Sequence, residues 1–165
     1  MTGETKLIFG GLIVSVLIII GASVVLSKDN SPKRENLGTA SMKIDKKEDD
    51  FGDMRTDEER TANFLITNTS DTTLRIWGIA TSCNCTFATI TIGDETTGEF
   101  NMPSHMNSTL KNWIGEVPPG QTATLSETYR PKIMPVLGQV SRQVRFSTND
   151  PKNPEIEVSL KANVL

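Results

Sequence analysis

The chain has 165 residues, a formal net charge of −3 and 5% aromatic residues. This length suffices for one domain with additional segments, and the slightly acidic balance provides no basic surface for nucleic-acid binding. Two cysteines exclude a framework of several disulfides, and the single histidine, His105, excludes a multi-histidine zinc site within one chain.

The first predicted element is an uncharged apolar segment, residues 7–26, with the sequence LIFGGLIVSVLIIIGASVVL. Twenty residues at about 1.5 Å rise per residue give a helix of about 30 Å, which matches the hydrocarbon core of a bilayer. A cleavable signal peptide has a shorter apolar stretch that ends in a small-residue cleavage site. We therefore expect residues 1–27 to form an uncleaved single-pass transmembrane anchor of the signal-anchor type, with a cleaved signal peptide as the alternative.

The second predicted element is a flexible linker over residues 28–49. Its sequence, KDNSPKRENLGTASMKIDKKED, has few apolar side chains and mixes both signs of charge. Such a segment cannot bury enough surface to offset the entropy lost on ordering. A flexible chain of about 20 residues would hold the following domain about 25 Å from the membrane.

Short strands separated by turn signals are predicted from residue 50 onwards. The clearest strand covers residues 155–165, where every second residue is apolar: Ile156, Val158, Leu160, Ala162 and Val164. Further strands are predicted within residues 63–68, 73–80, 122–129 and 139–149, and Arg142 interrupts the apolar face of the last one. Six to eight such strands and no long helix indicate an all-β antiparallel sandwich.

One tryptophan of these strands is predicted to lie outside the core. Trp77 has the same strand parity as Arg75 and Ile79. Because alternate residues of a strand share a face, we expect Trp77 on the outer face of its sheet. An exposed aromatic side chain there would favour contact with another protein.

Six motifs occur in an order that resembles the domain-of-unknown-function 1573 (DUF1573) family. They are FGDM (51–54), FLITNTSDTTLRI (64–76), TSCNCT (81–86), VPPGQTATL (117–125), TYRP (128–131) and STNDPKNP (147–154). The resemblance implies an Ig-like sandwich, similar to the Hydin/ASH group, over residues 50–165.

Members of that family are typically secreted or membrane-tethered bacterial proteins. The resemblance therefore implies that the C-terminal domain lies outside the cytoplasm. Together with the anchor predicted at residues 7–26, we expect a single-pass protein of the cytoplasmic (inner) membrane. The charges that flank residues 7–26 would by themselves slightly favour the opposite orientation.

Both cysteines of the chain, Cys83 and Cys85, lie within the TSCNCT motif. On one extended strand their Cα atoms would be about 6.6 Å apart, so a direct disulfide would need a bend at Asn84. Two parallel thiols could instead hold a soft cation such as Cu(I). The sequence leaves three alternatives open: passive packing of the cysteines, a thiol redox role as an accessible or labile disulfide pair, and a soft-metal site.

The soft-metal hypothesis has further candidate ligands in segments predicted to be loops. A long polar connection, residues 93–112, carries Met102, His105 and Met106, and Met134 lies at a predicted turn. The hypothetical copper(I) site therefore consists of Cys83 and Cys85 with one or more of these four side chains.

No sequence motif indicates an enzyme. The chain has no nucleophile elbow, phosphate-binding loop or dinucleotide fingerprint, so we expect neither a small-molecule substrate nor a resident cofactor. The sequence predicts a non-enzymatic protein-interaction or accessory module of the cell envelope, which binds the membrane through residues 7–26 and another envelope protein through its domain. The alternative is a copper(I)-binding accessory protein.

Overall fold

A computed structural model describes residues 38–165. This part of the chain forms ten strands: β1 (Met42–Ile44), β2 (Glu48–Met54), β3 (Arg60–Asn68), β4 (Leu74–Thr81), β5 (Thr86–Ile92), β6 (Glu95–Thr96), β7 (Ile114–Val117), β8 (Thr122–Tyr129), β9 (Gly138–Thr148) and β10 (Glu155–Val164). It also contains one short helix, α1 (Ser108–Lys111), and two 3₁₀ turns, Pro103–His105 and Pro131–Ile133.

The strands form two five-stranded sheets. The first has the order β1-β3-β8-β5-β6 and the second the order β2-β10-β9-β4-β7. Neighbouring strands run antiparallel except β2 and β10, which are parallel. The predicted all-β Ig-like sandwich is confirmed, with this parallel pair and more strands than the six to eight expected.

The ordered domain begins earlier than the sequence predicted. β1 and the first residues of β2 lie within residues 28–49, which were assigned to the linker. Met42 of β1 is buried, and its N–H donates to the Asp150 carboxylate at 3.0 Å. Edge strands need to bury only one face and often carry charged side chains. The mixed charges of residues 28–49 therefore concealed β1 and the start of β2.

The predicted anchor, residues 7–26, and the first part of the predicted linker lie outside the described residues. Within residues 38–165, no helix is long and apolar enough to cross a membrane.

Alternating side chains of both sheets build the core. The buried residues of β10 are those that the sequence pattern predicted. A main cluster contains large side chains from both sheets, among them Phe64, Leu125 and Phe146. A smaller cluster packs at one end of the sandwich and consists of Met54, Cys85, Tyr129, Val140, Leu160, Ala162 and Val164.

A bulge in β4 turns Ile79 to the opposite face from Trp77. Gly78 has φ of 64°, and the pairing of β4 with β9 shifts register between Trp77 and Ala80. Ile79 consequently returns to the core with 2% exposure, although its sequence parity placed it outside. Trp77 alternates with the buried Ile76 and is only partly buried, as expected for the outer face.

The two ends of the sandwich differ in character. At the Gly38 end, where the described chain begins, the Asp150 carboxylate accepts hydrogen bonds from the N–H groups of Met42 (3.0 Å) and Lys152 (2.8 Å) and from the Asn153 amide (2.8 Å). Burial acts to raise the pKa of Asp150, but the hydrogen bonds from Asn153, Lys152 and Met42 outweigh it and hold that pKa below its ordinary value. This carboxylate joins β1 to the turn between β9 and β10.

Replacing Asp150 by alanine should destabilise the sandwich by about 2–4 kcal/mol, because buried donors lose an ionised acceptor. Urea unfolding of the variant measures this loss. Asp57→Ala is the control with the same change of charge, since Asp57 forms an exposed ion pair with Arg55 and should cost at most about 0.5 kcal/mol. Equal losses in the two variants would contradict the role of Asp150.

Candidate functional site

A disulfide joins Cys83 and Cys85 in the turn between β4 and β5. The chain bends at this turn, so the two Cα atoms are 5.2 Å apart rather than the about 6.6 Å of an extended strand. Of the arrangements that the sequence left open, the structure therefore contains the bonded pair. Residues 38–165 contain no free cysteine.

Hydrogen bonds hold this turn independently of the disulfide. Within the turn, the carbonyl of Cys83 accepts from the Thr86 N–H at 3.1 Å and from the Thr81 hydroxyl at 3.0 Å. Three further bonds come from other segments: Asn101 Nδ2 to the Asn84 carbonyl (3.2 Å), the Arg130 N–H to the Cys85 carbonyl (2.9 Å) and the Ser82 N–H to the Gln143 carbonyl (2.9 Å). These contacts fix the path of the backbone through both cysteines.

The covalent ring itself adds little to stability. A disulfide stabilises a fold in proportion to the logarithm of the loop it closes, which gives about 1.6 kcal/mol for a ring of about three residues and about 3 kcal/mol for about fifteen. The short spacing of Cys83 and Cys85 therefore makes a purely stabilising role a weak explanation for this bond.

The two sulfur-bearing residues have different environments. Cys85 is 0% exposed and belongs to the smaller core cluster, whereas Cys83 is only partly buried at the surface. The N–H of Cys85 donates to the Cys83 sulfur at 3.2 Å. The two cysteines thus differ in burial: Cys85 is part of the smaller core cluster, and Cys83 packs against that cluster while remaining partly exposed.

The structure brings one of the four predicted metal companions to the disulfide. The Met134 sulfur lies 3.8 Å from the Cys83 sulfur, and Met134 is 48% exposed. Met106 instead packs against the main core cluster. His105 is exposed in a 3₁₀ turn, and Met102 precedes that turn next to Asn101.

The described residues contain no group of three or more His, Cys, Asp and Glu side chains that could hold a metal ion. A site made only of Cys83, Cys85 and Met134 would need the disulfide to be reduced first, because both cysteine sulfurs are bonded to each other. The copper(I) site stays a hypothesis.

Most of the large apolar side chains that are exposed lie at the disulfide end of the sandwich. Residues 38–165 have seven exposed large apolar side chains, and five of them lie at this end of the sandwich: Ile133 (44%), Met134 (48%), Val136 (45%), Leu137 (71%) and Leu165 (62%). Val164 pairs with Gly138, so Leu165 emerges beside Leu137. We call these five residues the disulfide-end patch.

Sequence reasoning selected Met134 for its sulfur and missed the other members of the patch. The signal was present in PKIMPVLG, residues 131–138, where four large apolar residues occur without the alternation of a strand. A non-alternating apolar run that is interrupted by Pro135, in a connection between strands, cannot place all its side chains in one core.

Arg130, at the start of the patch loop, makes two ion pairs and a ring contact, which together we call the Arg130 clamp. Arg130 donates to Glu59 and to Glu99, each at 2.6 Å, and its guanidinium lies 4.3 Å from the centroid of the Phe87 ring. The hydrogen bond from Arg130 lowers the pKa of Glu99, although burial opposes the shift. The clamp connects three segments next to the disulfide turn and limits the motion of the loop that begins at Arg130.

Three inward-facing polar side chains lie near this end of the sandwich. Within the described residues, both carboxyl oxygens of Glu127, the Tyr129 hydroxyl and Arg142 Nε are buried without a hydrogen-bond partner. The Arg142 guanidinium lies 5.2 Å from the centroid of the Tyr129 ring. Burial raises the pKa of Glu127 to about 8, because water cannot reach the carboxylate.

Glu127 should make the protein less stable as pH rises. Between its ordinary pKa of 4.5 and its folded-state pKa of about 8, the unfolded chain has lost this proton and the folded chain keeps it. The free energy of unfolding therefore falls with pH by up to about 1.4 kcal/mol per unit, and stability that is present below the lower pKa is lost above the higher one.

Glu127→Gln removes this dependence, so urea unfolding at about pH 5 and about pH 8.5 should show a loss for the wild type that exceeds the loss for the variant by roughly 2–4 kcal/mol. Glu157→Gln, at an exposed position of β10, is the control and should follow the wild type. The same pH dependence in all three proteins would rule out a protonated Glu127.

Comparison with solved structures supports the fold. A crystal structure of a protein of unknown function from Porphyromonas gingivalis W83 is 19% identical, with a TM-score of 0.56, and the match covers 82% of this chain and 51% of that chain. This chain thus spans about half the length of that protein.

Two further structures match less closely. The ASH/PapD-like domain 7 of human CEP192 is 13% identical, with a TM-score of 0.49 and coverage of 84% of this chain and 92% of that chain. The CsuC–CsuE chaperone-tip adhesion subunit pre-assembly complex of Acinetobacter baumannii is 14% identical, with a TM-score of 0.40 and coverage of 76% and 52%.

At the level of sequence, no curated protein matches the chain. A family model does match residues 42–108 and is described as protein of unknown function, DUF1573. The matched segment runs from β1 through the disulfide turn to the start of α1. The resemblance that the motifs predicted is confirmed over residues 42–108, and this segment folds as part of an Ig-like sandwich.

Proposed function

We propose that the chain is a non-enzymatic interaction module of the bacterial cell envelope that binds another envelope protein through the disulfide-end patch. In this proposal residues 7–26 anchor the chain in the cytoplasmic membrane, and the sandwich lies outside the cytoplasm. The concentration of five exposed large apolar side chains at one end of the sandwich carries the proposal. Contiguous exposed apolar surface is typical of protein-binding sites.

The position of the patch suits this role. The chain enters the sandwich at the Gly38 end, whereas β8 ends and β9 begins at the disulfide end. β9 has 11 residues, so the two ends are about 35 Å apart along this strand. The patch is therefore remote from the point at which residues 1–37 join the domain.

The support beneath the patch also suits binding. The loop of the patch follows a rigid strand, and the Arg130 clamp and the contact of Met134 with Cys83 restrain it. A restrained apolar loop loses less conformational entropy on binding than a free one. This arrangement is typical of loops that a rigid scaffold presents to a partner.

A photo-crosslinking residue at position 137, in the full chain expressed in cells, should form a discrete adduct with one envelope protein. The same residue at position 157, on an exposed part of β10, should not. The double substitution Ile133→Ser with Leu137→Ser should reduce the adduct at a neighbouring probe, position 132, at least about tenfold, which corresponds to about 1.4 kcal/mol.

Leu65→Ser is the matched control for these substitutions, because Leu65 is 43% exposed but lies in the middle of β3, away from the patch. This variant should retain the adduct. An adduct that the double substitution leaves unchanged, or that forms equally from position 157, would contradict binding through the patch.

A second candidate function, a copper(I)-binding accessory protein, is favoured by the 3.8 Å contact between Met134 and Cys83. After reduction, the two cysteine sulfurs and the Met134 thioether would form a three-sulfur donor set, which suits Cu(I). His105, Met102 and Met106 are the remaining candidate ligands, and in the structure none of them takes the place of Met134 beside the disulfide.

The reduced full chain, purified in a mild detergent, should then bind about one Cu(I) in competition with a chromogenic Cu(I) chelator. Met134→Leu should weaken this binding at least about tenfold, whereas Met106→Leu, in which the side chain packs against the main core, should not. Absence of binding, or equal binding by the two variants, would exclude the three-sulfur site.

A further inference from the structure

The two cysteines of the Cys83–Cys85 bond differ in exposure. Cys85 is 0% exposed, whereas Cys83 is only partly buried and contacts Met134 of the disulfide-end patch. A thiolate attacks a disulfide along the line of the sulfur–sulfur bond, from the side opposite to the leaving sulfur. Because Cys85 is buried and Cys83 is only partly buried, attack at the Cys83 sulfur with departure of the Cys85 sulfur is the direction that burial favours.

We propose that this bond is a thiol–disulfide exchange site, in which Cys83 is the attacked sulfur and Cys85 is the buried leaving sulfur. The co-reactant is a dithiol, either a small molecule or a pair of cysteines in a polypeptide. This activity goes beyond binding of an envelope protein and requires neither that partner nor a metal.

Hydrogen bonds hold the backbone of the turn, so its path should not change when the disulfide is reduced. The carbonyls of Cys83, Asn84 and Cys85 accept hydrogen bonds from Thr86, Asn101 and Arg130, and none of these bonds involves a sulfur atom. Reduction therefore leaves the backbone scaffold in place and keeps the two sulfurs close enough to reform the bond. A disulfide that served only to hold this turn would be redundant with those contacts.

A negative charge on the Cys83 sulfur has a hydrogen-bond donor beside it. The Cys85 N–H already donates to the Cys83 sulfur at 3.2 Å, and the same donor would stabilise negative charge on Cys83 after reduction. The Cys85 sulfur has the Thr86 hydroxyl at 4.0 Å and otherwise belongs to an apolar cluster, which disfavours a lasting charge.

The exchange proceeds in two balanced steps. In the first, one thiolate of the dithiol bonds to the Cys83 sulfur, the Cys83–Cys85 bond breaks, and its electron pair remains on Cys85, which takes up the proton that the attacking thiol released. In the second, the other thiol of the dithiol loses its proton and attacks its own partner sulfur, which releases Cys83 as a thiolate that accepts that proton. Two electrons and two protons pass to the chain, and the dithiol becomes a disulfide.

The exposed apolar side chains supply a surface for a polypeptide co-reactant. Ile133, Val136 and Leu137 flank Met134, whose sulfur lies 3.8 Å from the attacked sulfur. A peptide that carries the attacking cysteine can pack against them while its thiolate reaches Cys83. Small-molecule dithiols need no such surface, so the chemistry can be tested separately from binding.

The first test measures reduction of the wild-type full chain, in a mild detergent, by increasing concentrations of dithiothreitol without denaturant. If Cys83 is attacked in the folded protein, the rate of reduction rises in proportion to the dithiothreitol concentration and exceeds the rate of global unfolding measured under the same conditions. A rate that stops rising at the unfolding rate would overturn the proposal, because the bond would then open only in unfolded molecules.

The second test distinguishes the two sulfurs with single substitutions. Cys85→Ser leaves Cys83, and Cys83→Ser leaves Cys85; each folded variant is mixed with a neutral aromatic disulfide, and release of the aromatic thiol is followed by absorbance. The Cys85→Ser protein should react at least about tenfold faster. Equal rates, or a faster Cys83→Ser protein, would overturn the assignment. Loss of the photo-crosslink with normal exchange would remove the proposed partner site and leave this proposal standing.

Discussion

The bend between β4 and β5 buries Cys85 in the core and leaves its bonded partner, Cys83, partly exposed, and the arrangement of the disulfide end follows from it. The bend is fixed by carbonyl groups that accept hydrogen bonds from Thr86 within the turn and from Asn101 and Arg130 in two other segments. With the backbone held there, the β8–β9 loop passes beside Cys83 and brings Met134 into contact with its sulfur. The exposed loop, the Arg130 clamp and the disulfide are therefore parts of one local structure.

The two ends of the sandwich differ in the hydrogen bonding of their buried carboxyl groups and in the exposure of large apolar side chains. At the Gly38 end, the Asp150 carboxylate is satisfied by several donors and joins separate strands. Towards the other end, Glu127 is buried without a partner while large apolar side chains are exposed. A buried carboxyl group without a hydrogen-bond partner lowers the stability of the fold. Exposed apolar side chains are typical of surfaces that bind another protein.

Alternation along the strands made most of the fold predictable from the sequence. β8 and β10 were predicted almost to the residue, because their apolar positions repeat every second residue and their turns contain Pro, Gly, Asn or Asp. β1 and β2 were hidden by charged side chains, which edge strands tolerate. The return of Ile79 to the core was hidden by the bulge at Gly78, which reverses parity within β4.

The candidate site was less predictable, for reasons of geometry. Treating Cys83 and Cys85 as neighbours on a straight strand overestimated the separation of their Cα atoms, and the donors that fix the bend come from residues distant in sequence. Which methionine reaches the sulfurs depends on loop paths that no local pattern encodes. Glu127 could have been found from parity, because it shares a strand face with Leu125 and Tyr129.

Hydrogen bonds, rather than the disulfide, hold the turn in place. Amide hydrogen exchange of the full chain, before and after reduction, tests this. The N–H groups of Thr86 and Arg130, which donate to the Cys83 and Cys85 carbonyls, should stay protected in the reduced protein. Rapid exchange at these two amides after reduction, with protection retained elsewhere in the sheets, would contradict this role of the hydrogen bonds.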